Sequence, residues 1–297
     1  MNLRLINIGK HITASLVLTV ILTTAALAGE LSNKLAQTVA GKGPTELVRV
    51  WIELPEVESS ASLKATAKAL ATTRSERHKM TFERLKENHT ASQKDLLSDL
   101  KALSGGNKAS LGKIRGHWII NVIEAEVTVE QLYALADRAD IETIHAVPRI
   151  VSIAPDKISS VPSLSLTPVV ESNLEYIRAD VAWLNGYTGA GRVICSFDTG
   201  VDGLHPALYD SWKGHDGDAA AAWFDPVGRE PFPHTLEEYV IGGRGNHGTS
   251  TMGLILGHDD VTGDTVGVAL GAKWISAGVI DIEGASIIDA FEWAADP

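Results

Sequence analysis

Two short, nearly unbroken apolar runs in the last third of the chain constrain its fold most. Residues 192–197 (Arg-Val-Ile-Cys-Ser-Phe) follow Gly191, and residues 267–280 hold a second run of the same kind. Each has the length and composition of a strand buried on both faces, as in a parallel sheet covered by helices. Between them residues 249–257 are helix-forming, and another such stretch begins near Ala285. Strands alternating with helices in this way predict an α/β domain built on a parallel sheet. Ligands of such sheets gather at the carboxyl ends of the strands. The first run ends in Asp198-Thr199-Gly200, which delivers a carboxylate there, with a glycine to turn the chain.

His247-Gly248-Thr249 opens the intervening helix. A carboxylate and an imidazole brought to one sheet end are two of the three groups of a Ser-His-Asp hydrolase. Each residue also has a plainer reading: a turn aspartate, which also suits Asp202, and a helix-capping or core histidine. Taken together, however, the segments resemble the subtilisin-like serine peptidases, the subtilases. Asp198-Thr199-Gly200-Val201, with Gly191 before the strand and His205-Pro206 after it, matches that family's aspartate motif. His247-Gly248-Thr249 with Gly253 matches its histidine motif, and Gly267-Val268-Ala269 with Ala272 matches the strand region that follows. The match covers about residues 185–297, and residues 291–297 look most like the bacillopeptidase F-type branch.

The resemblance implies a partial subtilisin-like α/β domain in which Asp198 and His247 are catalytic. Asp198 would accept a bond from the ring of His247, and His247 would relay the proton of a serine hydroxyl. Ser250, Thr251 and Met252 depart from the family pattern after the histidine motif, and Leu270 stands where a proline is frequent. The family's serine segment and its oxyanion-hole asparagine are expected beyond residue 297, so this chain by itself is expected to be inactive. Gly248-Thr249-Ser250 spells the start of a serine motif, but Ser250 lies three residues from His247 on the same helix. That placement would break the family's order of residues.

Upstream, residues 46–54 alternate apolar and charged side chains, the period of a half-buried strand ended by Pro55. From Ser59 to Leu103 the apolar spacing is helical, as one long helix or a hairpin, with Gly105-Gly106 as the stop. Residues 118–123 read as a strand. Thr128 and Gln131 form a capping box before a short helix. Residues 141–147 and 150–153 read as closing strands around Pro148. This is a small α+β unit. The subtilase resemblance makes it a ferredoxin-like propeptide domain over residues 29–154, and residues 155–176, rich in Pro, Ser and Thr, a linker holding the processing site. Residues 177–297 are then the peptidase part.

Residues 1–28 read as a signal peptide: Arg4 and Lys10 precede an apolar stretch ending in Ala26-Leu27-Ala28. The expected location is therefore extracellular, with no membrane span after cleavage. Residues 180–297 carry five Lys/Arg against eighteen Asp/Glu, a balance of −13, which leaves +2 for residues 1–179 within the total of −11. An acidic peptidase half speaks against nucleic acid as a partner. Protein or peptide substrates and the chain's own propeptide domain are the expected partners. The one cysteine, Cys195, reads as a small buried apolar residue, since nothing beside it activates a thiol.

A metal-dependent hydrolase can also be drawn from His205, His215, His234 and His247 among Asp198, Asp202, Asp210, Asp216, Asp218 and Asp225, though no tight ligand spacing supports it. No cofactor is required. Ca²⁺ could be held by Asp216 and Asp218, or by Asp259, Asp260 and Asp264, but a solvated acidic loop fits those residues as well. The remaining alternative is a non-catalytic protein that acts through its propeptide-like unit as an inhibitor or folding helper.

Overall fold

The computed structural model describes residues 29–103, 114–148, 150, 170–228, 230–236 and 246–295. The segment read as a signal peptide and most of the segment read as a linker lie outside these residues, as do the expected Gly105-Gly106 stop and nearly all of the strand expected at 150–153. The first five strands are β1 (Glu30–Leu31), β2 (Leu47–Glu53), β3 (Arg115–Gly116), β4 (Val122–Thr128) and β5 (Thr143–Ala146). They form one sheet in the order β1-β5-β2-β4-β3. β2 runs antiparallel to both β4 and β5, and β3 antiparallel to β4, while β1 joins β5 in parallel. The helices are α1 (Asn33–Val39), α2 (Ser60–Leu70), α3 (Arg74–Leu103) and α4 (Val129–Ala136). Setting β1 aside, β2, α2–α3, β3, β4, α4 and β5 follow the split βαβ order of a ferredoxin-like unit.

Alternation in β2 explains the layering. Val48, Val50 and Ile52 face a core shared with Leu35, Leu96, Leu100, Ile123, Leu132 and Ile144. Arg49, Trp51 and Glu53 point to the opposite face, which leaves that face polar. The helical stretch resolves into a hairpin. Ser59 caps α2, and the next break falls at Thr73, whose hydroxyl accepts from the Glu76 N–H while the Glu76 carboxylate accepts from the Thr73 N–H. That reciprocal pair starts α3 where a single long helix could have run on. The capping box at Thr128 and Gln131 forms as the sequence predicts.

The strand expected at 118–123 is shifted. β4 begins at Val122, and residues 118–120 form a bend. The reason lies in their hydrogen bonds: the N–H groups of Trp118 and Ile119 donate to Glu292 Oε1, and the Trp118 carbonyl lies 2.7 Å from His89 Nδ1. Groups committed in this way cannot join a ladder. The two-residue strand β3 carries too short a pattern to be read from sequence.

The C-terminal segment opens with α5 (Ser172–Tyr176) and α6 (Ala179–Leu184), followed by β6 (Val193–Asp198), α7 (Pro206–Tyr209) and a single 3₁₀ turn (Lys213–Asp216). β7 (Trp223–Phe224), α8 (His247–Leu256), β8 (Lys273–Gly278) and α9 (Ile287–Ala295) complete it. The strands are parallel in the order β6-β8-β7, which is the α/β architecture expected. Its core gathers Leu208, Trp212, Trp223, Met252, Leu256 and Trp274.

One expectation fails here. β6 is not buried on both faces: Val193 is 49% exposed, and Cys195 is also exposed. Among the described residues β6 pairs with β8 alone and forms the edge of this sheet, so one of its faces is open. Enough protein surrounds the Cys195 sulfur that desolvation pushes its thiol up to about 11. Desolvation thus disfavours its thiolate, although the residue is not buried. Among the described residues no helix is long and apolar enough to cross a membrane.

Candidate active site

Asp198 is the last residue of β6 and His247 the first of α8, so the sheet end and a helix start meet at one point. Their approach depends on two glycines. Gly200 takes φ +99°, a left-handed conformation that glycine adopts without strain. A Cβ on Gly248 would lie 2.2 Å from the Gly200 carbonyl oxygen, so only hydrogen fits where the helix meets the aspartate loop. Behind the site, the Asp198 carbonyl accepts from the N–H groups of Val279 and Ile280, at 2.8 and 3.0 Å, fixing the strand end from the β8 side.

His247 Nδ1 lies 2.8 Å from Asp198 Oδ1. That same oxygen accepts from the Thr199 N–H at 2.7 Å, and Oδ2 accepts from the Thr251 hydroxyl at 2.9 Å. Asp198 is buried, and both of its carboxylate oxygens are oriented by neighbours. Since a carboxylate oxygen can only accept, Nδ1 carries the proton of the neutral ring. Nε2 is then the nitrogen left to take a proton, on a side chain still 31% exposed.

Three threonines hold this pair, and sequence reasoning missed their roles. Thr251 stands four residues after His247, so both side chains lie on one helix face and reach the same carboxylate. That spacing was the available signal, although Thr251 had registered only as a departure from the family pattern. Thr199 Oγ1 accepts from the Gly248 N–H at 3.1 Å, and Thr249 Oγ1 accepts from the Asp202 N–H at 2.9 Å. These two bonds tie the helix start to the aspartate loop from both sides.

Ser250 sits on α8 with its hydroxyl bonded back to the Asn246 carbonyl at 3.2 Å, a local bond within its own helix. The other histidines do not converge on a common point. His205 Nδ1 accepts from the Ala207 N–H as a helix cap, and His215 packs on the rings of Tyr209 and Trp212. His234 Nδ1 lies 3.0 Å from the Phe232 carbonyl, while Asp225 accepts from the N–H groups of Val227, Gly228 and Glu230. The constellation drawn for a metal hydrolase is therefore dispersed.

The acidic loops are engaged as well. Asp216 pairs with Lys213, and that contact holds its carboxyl below the usual range. Asp218 accepts from the Ala221 N–H, Asp259 from those of Val261 and Thr262, and Asp260 lies 3.3 Å from His258. Among the described residues, the one grouping with metal-ligand spacing lies elsewhere, at His117, Asp289 and Glu292.

With this geometry in place, the similarities to known proteins can be set beside it. Residues 189–297 match the family model described as the subtilase family. Over these residues the chain is similar to that family. It is 26% identical over 290 residues to Bacillopeptidase F of Bacillus subtilis (strain 168), covering 92% of this chain and 20% of that protein. It is 32% identical over 102 residues to Neuroendocrine convertase 2 of Bos taurus, covering 34% of this chain and 14% of that protein. It is 36% identical over 64 residues to the Minor extracellular protease Vpr of Bacillus subtilis (strain 168), covering 20% of this chain and 8% of that protein. The chain thus spans no more than a fifth of the length of these curated relatives. Among solved structures, the epidermin leader peptide processing serine protease of Staphylococcus aureus aligns at a TM-score of 0.43 and 16% identity, over 79% of this chain and 44% of that one.

Proposed function

We propose that the chain is the leading part of a secreted subtilisin-like serine endopeptidase precursor, with Asp198 and His247 as two members of its catalytic triad. One observation carries the reading: the 2.8 Å contact between His247 Nδ1 and Asp198 Oδ1, at the carboxyl end of a parallel strand. A serine hydroxyl presented to Nε2 would lose its proton to His247 as it attacks the peptide carbonyl. Asp198 would hold the ring's tautomer and stabilise the imidazolium, and His247 would return the proton to the leaving amine. Thr199 and Thr251 keep the carboxylate aimed, so they position the relay without touching substrate.

In this reading residues 29–154 are the propeptide domain, residues 155–176 the processing linker and residues 1–28 the export signal. Two observations support the first assignment. The similarity to Bacillopeptidase F runs over 290 residues and so includes the N-terminal unit. The polar face of its sheet also packs on the C-terminal segment: Arg49 donates to the Gly284 carbonyl, Arg115 pairs with Asp289, and Trp118 donates to Glu292. In this reading the unit assists folding of the peptidase part and then inhibits it, and the contacts between the two support that role.

The test uses protein carrying the whole peptidase domain. Asp198→Asn is expected to lower kcat on a peptide substrate by about 10⁴-fold, and His247→Ala to abolish labelling by a serine-directed phosphonate. Full activity in either variant rejects the assignment. For the N-terminal unit, purified residues 29–160 are expected to slow the mature enzyme at micromolar concentration. Absence of binding there removes the inhibitory role.

A further inference from the structure

His117 is fully buried, yet neither of its ring nitrogens has a hydrogen-bond partner among the described residues. Its position is fixed: its N–H donates to the Val122 carbonyl, and its own carbonyl accepts from Gln93 Nε2. The surroundings are charged rather than apolar. Nδ1 lies 3.5 Å from Asp289 Oδ1 and 3.5 Å from Glu292 Oε2, and Nε2 lies 4.0 Å from Glu124 Oε2. A buried polar ring left without partners calls for a physical account.

The two carboxylates show how the place is built. Asp289 and Glu292 are three residues apart and share one face of α9. Each has one oxygen tethered and the other turned to His117. Asp289 Oδ2 pairs with Arg115, and Glu292 Oε1 accepts from the N–H groups of Trp118 and Ile119. Glu124, on the far side of the ring, is itself held by Arg49 Nε at 2.6 Å and Trp51 Nε1 at 2.9 Å.

From this arrangement we infer that His117, Asp289 and Glu292 form a binding site for a divalent transition-metal ion, of which Zn²⁺ is the type, at the seam between the two units. The spacing around the ring suits a shared ion. A charged imidazolium bonds carboxylates at about 2.7–2.9 Å. Ligand atoms about 2.1 Å from a shared tetrahedral Zn²⁺ stand about 3.4 Å apart, close to the 3.5 Å seen on both sides of Nδ1. The donor set of one imidazole and two carboxylates suits zinc, and a nitrogen ligand disfavours Ca²⁺. Glu124 Oε2, 4.0 Å behind Nε2, stands where an outer carboxylate could orient the ring once a metal draws it in. The fourth position would fall to water. Since His117 comes from the N-terminal unit, directly after β3, and both acids from α9, a bound ion makes the contact between the units depend on metal.

The experiment uses the full chain, stripped with chelator and then titrated with ZnCl₂ by isothermal calorimetry. One ion per chain is expected, with a rise in melting temperature on binding. His117→Gln should lose the site. Glu292→Gln keeps Oε1 as an acceptor for Trp118 and Ile119, so it should fold normally and weaken zinc binding by about 100-fold or more, the upper end of what even outer-shell losses cost. Glu124→Gln should weaken it by about 10-fold. Zinc affinity unchanged in folded Glu292→Gln would overturn the site. So would a stripped chain that takes up no stoichiometric zinc.

Discussion

The two sheets of this molecule bury their strands in different ways. In the N-terminal unit β2 and β4 are central, each with one face on a continuous apolar core and the other polar. Every second residue does one job, and the unit completes its own interior. In the C-terminal segment the strands are parallel, and the edge strand β6 leaves Val193 and Cys195 in the open. Phe291, whose ring packs on Phe197 of β6, is half exposed as well. Alternation thus suffices for a unit that makes its own core. Apolar runs meant for burial on both faces need further chain to cover them.

The sharpest way to break this comparison is to separate the halves. Residues 29–148 are expected to unfold cooperatively as a soluble monomer, and residues 170–295 alone to aggregate through the open strand. A cooperative thermal transition from a soluble, monomeric C-terminal segment would show that its sheet needs no further cover. The next largest effect belongs to Gly248, where strand and helix touch at the candidate relay. Gly248→Ala forces a Cβ against the Gly200 carbonyl, so α8 must move away from Asp198. A displacement of about 1 Å at such a contact lowers turnover by about 10²-fold, and overpacking costs about 1–3 kcal/mol of stability. Activity and denaturant midpoints of the variant in the complete enzyme test both. Normal turnover would mean that the close approach is not needed for the relay.

How far the sequence revealed this follows from the same contrast. The parallel sheet and the helix between its strands were legible, because each rests on a local pattern, while the meeting of Asp198 with His247 was expected only from the resemblance to the subtilases. The capping box at Thr128 was legible for the same reason. Elements set by distant partners were not. The bend at 118–120 exists because Glu292, more than 170 residues away, takes two of its N–H groups. The Thr251 contact needs the histidine helix laid against β6, and no single segment encodes that placement. The exposure of Cys195 is likewise a property of what does, or does not, pack beside its strand.

Smaller effects sharpen the picture on the N-terminal side. Glu124 is buried on the polar face of the sheet, where it gathers Arg49, Trp51 and Ser286. Glu124→Gln removes the charge and keeps the shape, so Arg49 and the Trp51 N–H lose a charged acceptor. The expected cost is about 1.5–3 kcal/mol, the range for hydrogen bonds to charged groups. Urea unfolding of the full chain measures it. An unchanged midpoint would mean that solvent replaces the carboxylate, and that the polar face contributes little to holding the two units together.

The smallest effect is also the most local. Thr128 ends β4, where it pairs with Leu47, and it caps α4 in the same residue. Its hydroxyl accepts from the Gln131 N–H at 3.2 Å, while Gln131 Oε1 accepts from the Thr128 N–H at 2.9 Å. Thr128→Ala deletes the first bond and leaves the strand backbone untouched, so the loss should be about 1 kcal/mol. Thr128→Ser restores the acceptor and should recover most of it. If serine proves as costly as alanine in urea unfolding of the isolated N-terminal unit, the methyl group's packing rather than the cap matters at this corner. The strand-to-helix turn would then be held by its tertiary neighbours, like the rest of the molecule that the sequence did not reveal.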